Sequence, residues 1–292
     1  MKIFLEAHPP FSLAPVVWSH GWAQLAPFAT EDRSGKFSYV FHLSSGKTGE
    51  MTIHEIESGV SVEVDDSLSQ SEVWEISQNV KWMLGLDQDL SEFYLAARNE
   101  PSLAHVEERR QGRILRSPTL FEDVIKTILT TNTLWAATIR MNKNVVDQFG
   151  SALAKDPSRH AFPNPEQLAM TSIEILRSST RLGYRAPYIL ELAKRVASGD
   201  LDLEAYKTTD LPTPELRKHL LGIKGVGSYA AANLLMILGR YDYLPVDSWA
   251  MRMVSQEWYQ GEPIGRAEVE NAFERWGKWK GLAYWFWNWS SN

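Results

Sequence analysis

Residues 215–251, ELRKHLLGIKGVGSYAAANLLMILGRYDYLPVDSWAM, constrain the fold more than any other stretch of the chain. They spell helix, glycine turn, helix, short loop and the start of a third helix. Thr213 can cap the first helix, with Pro214 at its first position, where a missing N–H costs nothing. Leu216, Leu220 and Leu221 give that helix an apolar face. Gly222, Gly225 and Gly227 bracket a turn in which positive φ and close backbone approach are cheap for glycine alone. Ser228 opens the second helix, whose small residues allow tight packing, and Gly239 ends it. Backbone N–H groups directed outward at such a helix start can hold a phosphate. Lys224 beside them is either a further phosphate contact or a solvated turn lysine. Asp247 follows Gly227 by 20 residues, at the mouth of SWAMRMVSQEW. It can be a helix N-cap, a carboxylate with chemistry to perform, or both.

Upstream, the first 66 residues alternate in the manner of strands. KFSYVFHLSSGKTGEMTIHEI holds two such runs around Ser44-Ser45-Gly46, and GVSVEV is a third. From Ser67 to Arg98 the pattern turns helical, with Val73, Ile76, Val80, Met83 and Leu84 on one face. Beyond Ser117-Pro118, read as a helix start, the chain is expected to be almost wholly helical. LFEDVIKTILTTNTLWAATIRMNKNVVDQF supplies two amphipathic helices broken near Thr130–Thr133, and AEVENAFERW and GKWKGLAYWFWNW close the chain. The predicted class is α+β, mainly α-helical. Its N-terminal antiparallel sheet lobe with helices covers 1–105, and a helical region covers 106–292 with the hairpin at 215–239.

A net charge of −6 argues against a nucleic-acid partner only until it is divided along the chain. Residues 1–100 carry −9, residues 101–260 carry +3 and residues 261–292 carry none. The acid gathers in 55–100, with Glu63, Asp65, Asp66, Glu72 and Glu75. The middle segment offers Arg109, Arg110, Arg113, Arg116, Arg181, Arg185 and Lys224 as cations for one face. Non-specific DNA affinity follows local cation–phosphate contacts, so the total excludes nothing. The absence of cysteine does exclude disulfides, thiolate metal sites and a cysteine-bound iron–sulfur cluster. No run of 18 apolar residues spans a membrane, and MKIFLEAHPPF is not a signal peptide. The expected compartment is the cytoplasm, at the nucleoid in a prokaryote.

Hairpin, small-residue helix and Leu-Pro-Val-Asp in this order resemble the helix-hairpin-helix DNA glycosylase superfamily. ILRSPTLFEDVIKTILTTNT is similar to the helix and turn that open the catalytic part of 8-oxoguanine DNA glycosylases. LGYRAPYI is similar to their Gly-Tyr-Arg-Ala-x-Tyr, and RWGKWKGLAYWFW to the last helix of 3-methyladenine DNA glycosylase II. The likeness runs from 110 to 289 and is loose before that, where the family has a TATA-binding-protein-like sheet.

The resemblance implies a role for each matching residue. Asp247 would be catalytic, and Gly222, Lys224, Gly225, Gly227 and Ser228 would hold DNA phosphate. Asn132 would be offered to the DNA from its turn, Tyr184 would wedge into the base stack, and Arg185 would hydrogen-bond the orphaned base. Tyr229, Trp276 and Trp279 would line the base pocket. Carbonyls of Leu221, Ile223 and Val226 would hold a monovalent or calcium ion that takes no part in bond cleavage, and no cofactor is required. Double-stranded DNA containing a damaged base would be the partner of a monomer, with no membrane involved. From the residues alone, Tyr184 can be core, Arg185 a surface cation, and many of the twelve tryptophans packing.

Two departures shape the expected activity. Bifunctional relatives carry a Schiff-base lysine two residues after the last hairpin glycine; here that position is Tyr229. A phenol, with pKa about 10, forms no imine. The 8-oxoguanine enzymes also place an arginine beyond the Asn-bearing turn to read the opposite cytosine, where this chain has Trp135-Ala136-Ala137. The expected activity is therefore that of a monofunctional DNA N-glycosylase acting on an alkylated or oxidised purine. A bifunctional 8-oxoguanine glycosylase/lyase and a non-catalytic helix-hairpin-helix DNA-binding protein are the alternatives. A pure binding module needs the hairpin but no acid after Leu-Pro-Val.

Overall fold

The computed structural model describes residues 1–30 and 36–289. Contacts divide the chain into two units, residues 1–88 with 113–208 and residues 89–112 with 209–292. This division does not run at the expected 105/106 junction, because 89–112 packs with the C-terminal residues. Phe93 meets Trp279 at 5.8 Å between ring centres, and Asn288 N–H donates to the Ser102 carbonyl at 2.9 Å.

In the first unit the strand-like alternation forms one antiparallel sheet. Its strands are β1 (Lys2–Glu6), β2 (Phe28–Thr30), β3 (Phe37–His42), β4 (Thr48–Ile56) and β5 (Gly59–Val64), in spatial order β1-β5-β4-β3-β2. The two runs around Ser44-Ser45-Gly46 are β3 and β4, paired with Tyr39 opposite Met51, and GVSVEV is β5. The helical pattern after Ser67 becomes two helices, Gln70–Leu84 and Ser91–Ala97, the second of which belongs to the other unit. Ser69 and Glu72 form a reciprocal capping box at the start of the first, and Gly85 in the left-handed region stops it.

The helix read from Ser117-Pro118 begins two residues later, as Leu120–Thr130, with Thr119 Oγ1 accepting the Glu122 N–H at 3.2 Å. Every residue from Leu120 to Leu129 is buried, Glu122, Asp123 and Lys126 included. Burial of these polar groups is tolerated because each has hydrogen-bonding partners. Glu122 accepts from Tyr39 Oη at 2.6 Å and faces Lys126 Nζ at 2.6 Å, while Asp123 accepts from Trp22 Nε1 at 2.7 Å and from the Ser117 N–H at 3.0 Å. The helix is thus held in one position, and its last residues deliver the turn at Asn132.

After Ser117 the chain is not wholly helical. Ala152–Leu153 and Asp156–His160 form a two-stranded antiparallel ribbon. DPSRH has no apolar alternation to betray it; long-range ion pairs hold the ribbon, with Lys155 reaching Asp65 at 2.7 Å and Arg159 bonded to Glu50 of β4.

The second unit is helical. It comprises Ser91–Ala97, His105–Glu108, Thr213–Leu221, Ser228–Ile237, Ser248–Trp258, Arg266–Phe273 and Lys280–Phe286, with a 3₁₀ turn over Glu274–Trp279. Its C-terminal aromatics pack edge to face: Phe273 meets Trp258 at 5.5 Å, Tyr284 at 5.6 Å and Trp287 at 5.4 Å. Among the described residues no helix is long and apolar enough to cross a membrane.

Candidate functional site

The candidate residues fall into two groups. Asn132, Tyr184 and Arg185 belong to the first unit; the hairpin, Asp247 and the aromatic candidates belong to the second.

In the second unit, the hairpin joins helices Thr213–Leu221 and Ser228–Ile237. Thr213 is not the cap: Pro212 precedes the helix, Thr213 is its first residue and Pro214 its second. Leu216 and Leu220 are buried on the first helix, and Ile223 and Val226 are buried in the turn, so the loop is anchored from inside. The Val226 N–H closes the turn on the Ile223 carbonyl at 3.0 Å. Of the three glycines only Gly225, at φ +89°, needs the left-handed region; Gly222 and Gly227 have φ of −73° and −90°. A Cβ at Gly227 would meet nothing within 4 Å, so this stretch of backbone is open on its outer side. Gly227 is the N-cap of the second helix, whose first intrahelical bond runs from the Ala231 N–H to the Gly227 carbonyl at 2.8 Å. The N–H groups of the first turn are therefore left for a ligand, and no acidic residue occupies that turn to compete with an anion. Lys224 and Ser228 are exposed beside them, and Gly239, at φ +78°, ends the helix as the sequence predicts.

Asp247 is half-buried and is the N-cap of helix Ser248–Trp258: Oδ1 accepts the Ala250 N–H at 2.8 Å. Among the described residues Oδ2 has no hydrogen-bond donor. The preceding Leu244 and Val246 are buried, and Arg266 Nη2 donates to the Val246 carbonyl at 3.2 Å. One carboxylate oxygen is thus fixed by the helix, and the other remains available on a braced loop.

Two phenols lie within the electrostatic reach of this carboxylate. Burial, and after it the Asp247 charge, pushes the Tyr229 hydroxyl above the usual phenol range, with a side-chain hydrogen bond to Asn233 opposing. Burial, then Asp247, then Tyr229 push Tyr284 up further still. Both remain neutral donors throughout the ordinary pH range. Trp249, 42% exposed, meets the Tyr284 ring edge-on at 6.5 Å. Tyr229 is thus grouped with Asp247 as the sequence suggests, while Tyr284 and Trp249 escaped it.

Trp276 and Trp279 are engaged in packing. Trp279 stacks on Tyr241 at 5.8 Å and also meets Phe93 at 5.8 Å; Trp276 meets Trp287 edge-on at 6.5 Å. A signal for Tyr284 does exist in the sequence. Gly281, one turn earlier on helix Lys280–Phe286, shares its face. A Cβ on Gly281 would lie 2.7 Å from the Tyr241 carbonyl oxygen, so this glycine is where the helix closes on the loop leading to Asp247. Gly281→Ala should therefore destabilise the protein by about 1–3 kcal/mol in chemical denaturation, the usual range for overpacking. An unchanged midpoint would mean that the loop yields freely.

In the first unit, Asn132 ends the Leu120–Thr130 helix in a left-handed conformation, φ +48°, with its side chain exposed. Tyr184 is 49% exposed, after Gly183 at φ +58°. Arg185 is 6% exposed rather than a free cation. Its Nη2 donates to the Thr131 carbonyl and reaches the Asn132 carbonyl at 3.5 Å, and its guanidinium lies 4.5 Å from the centre of the Tyr184 ring. The three residues form one cluster, but in it Arg185 braces the turn.

Comparison with known proteins adds the following. Residues 125–278 match the HhH-GPD superfamily of base excision DNA repair proteins. An N-glycosylase/DNA lyase of Saccharomyces cerevisiae is 24% identical over 207 residues, 59% of this chain and 55% of its own length. The chain thus spans about half the length of that curated relative. The 3-methyladenine DNA glycosylase of Archaeoglobus fulgidus superposes with a TM-score of 0.76 at 23% identity, over 98% of this chain and 97% of its own. The 8-oxoguanine glycosylase/lyase of Clostridium acetobutylicum, bound to double-stranded DNA with cytosine opposite 8-oxoguanine, gives 0.72 at 20% identity, over 94% and 90%. At such identities the likeness is one of fold.

Proposed function

The chain belongs to the HhH-GPD superfamily of base excision DNA repair proteins, and from that premise we propose that it is a monofunctional DNA N-glycosylase. It rotates a damaged purine nucleotide out of the duplex and hydrolyses its N-glycosidic bond. The observation that carries this reading is Asp247, with Oδ1 bonded to the Ala250 N–H and Oδ2 left for substrate.

As the glycosidic bond lengthens, positive charge develops on the sugar, and the carboxylate stabilises it. Water adds at the anomeric carbon, and the base departs with the bonding electrons. Tyr229 and Tyr284 lie within reach of the Asp247 charge with neutral hydroxyls, and the half-exposed Trp249 meets Tyr284 edge-on; aromatics of this kind suit a flat oxidised purine or a cationic alkylated one. The hairpin amides from Gly227 onward, with Lys224, would hold a backbone phosphate. The carbonyls of Leu221, Ile223 and Val226 suit a hard cation, since neutral oxygens are what such ions take. The Ile223 oxygen keeps one lone pair after accepting the Val226 N–H, and an ion there would stiffen the phosphate contact.

The absence of lyase activity rests on Tyr229, which has no amine to attack the sugar. The yeast and Clostridium proteins carry lyase in their names, which keeps the bifunctional reading as the rival. Oligonucleotides each bearing one lesion separate the two. Base release is expected to leave a strand that breaks only after alkali or heat, and borohydride is expected to trap no protein–DNA adduct. Efficient trapping that persists in Asp247→Asn and vanishes in Lys224→Ala would establish a lyase instead.

A further inference from the structure

A cavity of about 250 Å³ in the first unit shares no residue with the candidate site. It is lined from strands β3 and β4 and from helices Gln70–Leu84, Leu120–Thr130 and Ala186–Ala197. Protein interiors are close-packed, with few voids larger than a water molecule. A cavity of about 150 Å³ admits benzene, so one of this size admits a body of about ten heavy atoms. Glu75 and Val196 of the lining are only half-buried and Glu204 is exposed, so a ligand has a way in from solvent.

The lining has two chemical parts. Most of it is apolar, with the buried rings of Tyr39, Phe41, Phe121 and Phe162. The charged part is wholly acidic: Glu75, Glu122 and Glu204 contribute to it and, among the described residues, no lysine or arginine does. Two of these carboxylates are matched from behind the wall. Lys126 Nζ lies 2.6 Å from Glu122, and Lys207 Nζ lies 2.5 Å from Glu204. Glu75 is not matched. Among the described residues its oxygens accept only from Ser44, the N–H at 3.0 Å and the hydroxyl at 2.6 Å. Those neutral donors orient the carboxylate and leave its charge in place.

We propose that this cavity is a binding site for a small organic monocation, an ammonium carried on an apolar body, with Glu75 as its counter-ion. Aromatic faces attract a cation through the ring quadrupole, and more strongly where water is excluded. They also bury the apolar body, which supplies most of the affinity of a small-molecule site. An anion of the same shape would meet a wall whose one uncompensated charge repels it. A neutral isostere would gain the burial alone. The specificity therefore lies in the charge, and the affinity in the rings. A bound ligand would join β3 to the first turn of helix Leu120–Thr130, through Tyr39 and Phe41 on one side and Phe121 on the other, and so raise the thermal midpoint.

The test is calorimetric titration of the whole protein, with thermal unfolding in parallel, using phenethylamine, 2-phenylethanol and 3-phenylpropionate as probes. At pH 8 an alkylamine is an ammonium and histidine is neutral. Wild type should bind the amine at least about tenfold more tightly than the alcohol, and the carboxylate more weakly than either. Glu75→Gln, which can keep the bonds from Ser44, should bring amine and alcohol within about threefold of each other. Glu166→Gln removes one exposed carboxylate of the same unit outside the cavity, and should leave the preference intact. Val196→Phe fills the cavity and should abolish binding of all three probes. Should that variant fail to fold, Glu75→Gln decides alone. Equal affinity for amine and alcohol in wild type, a preference that survives Glu75→Gln, or amine binding undiminished in a folded Val196→Phe overturns the proposal. So does the absence of any binding. Asp247→Asn should bind the amine as wild type does, so this inference and the glycosylase reading stand or fall separately.

Discussion

Asp247→Asn should slow single-turnover base release by at least about 10²–10³-fold, the range for loss of one electrostatic stabiliser of a charged transition state. Affinity for lesion-bearing duplex should stay within several-fold of wild type. The reason for the split is structural. Asparagine retains a carbonyl oxygen where Oδ1 accepts the Ala250 N–H, so helix Ser248–Trp258 keeps its cap and the loop braced by Arg266 keeps its place. What disappears is the negative charge that the proposed mechanism sets against the sugar. Alanine would confound the two effects, because losing an N-cap alone destabilises by about 0.5–2 kcal/mol. Retention of more than about a tenth of the wild-type rate, little over 1 kcal/mol of barrier, would remove Asp247 from the chemistry. The protein would then be read as a binding module, for which the hairpin suffices.

The parts legible in the sequence are those fixed by local rules. Glycine spacing, a leucine face and a small-residue helix specify the hairpin whatever surrounds it. Alternation specifies β3, β4 and β5, and Asp247 declares itself by its place at the mouth of a helix. Even so, helix ends shifted by a residue or two at Thr213 and Ser117, where neighbouring residues could serve almost equally as caps. Less legible were features that depend on residues far apart. The ribbon at 152–160 is held by Asp65 and Glu50, about a hundred positions away, and nothing within it alternates. Tyr284 feels the Asp247 charge from a helix that packs, at Gly281, directly against the Tyr241 carbonyl. Arg185 illustrates the same limit from the other side. Its motif matched in every letter, yet whether a guanidinium faces solvent or a turn is decided by carbonyls 54 and 53 positions away.

Lys126→Met should destabilise the protein by about 3–5 kcal/mol at pH 8, because it leaves buried carboxylates without their cation. The ammonium is wholly buried, 2.6 Å from Glu122, within hydrogen-bond reach of Ser117 and over the face of Phe28 at 4.4 Å. The deficit should also depend on pH, and its sign follows from Asp123. Burial raises that carboxyl to about 7, against the hydrogen bonds from Trp22 and Ser117 and the charge of Lys126. Between about 4 and 7 the folded protein therefore holds more protons at Asp123 than the unfolded chain, and stability falls as pH rises through that window. Removing Lys126 removes a charge that lowers this pKa, so the decline steepens and extends to higher pH. His20 works in the opposite direction. Burial lowers it to about 4, so it adds stability as pH rises toward 6.5, and loss of the Lys126 charge lets its pKa recover slightly. Both effects make the variant comparatively worse at high pH. Denaturant unfolding at pH 5 and pH 8 reads the difference directly, and methionine of similar volume keeps a cavity from accounting for it. A deficit below about 1 kcal/mol, or one equal at both pH values, would show that the buried carboxylates are carried by Tyr39, Trp22 and Ser117 without the lysine.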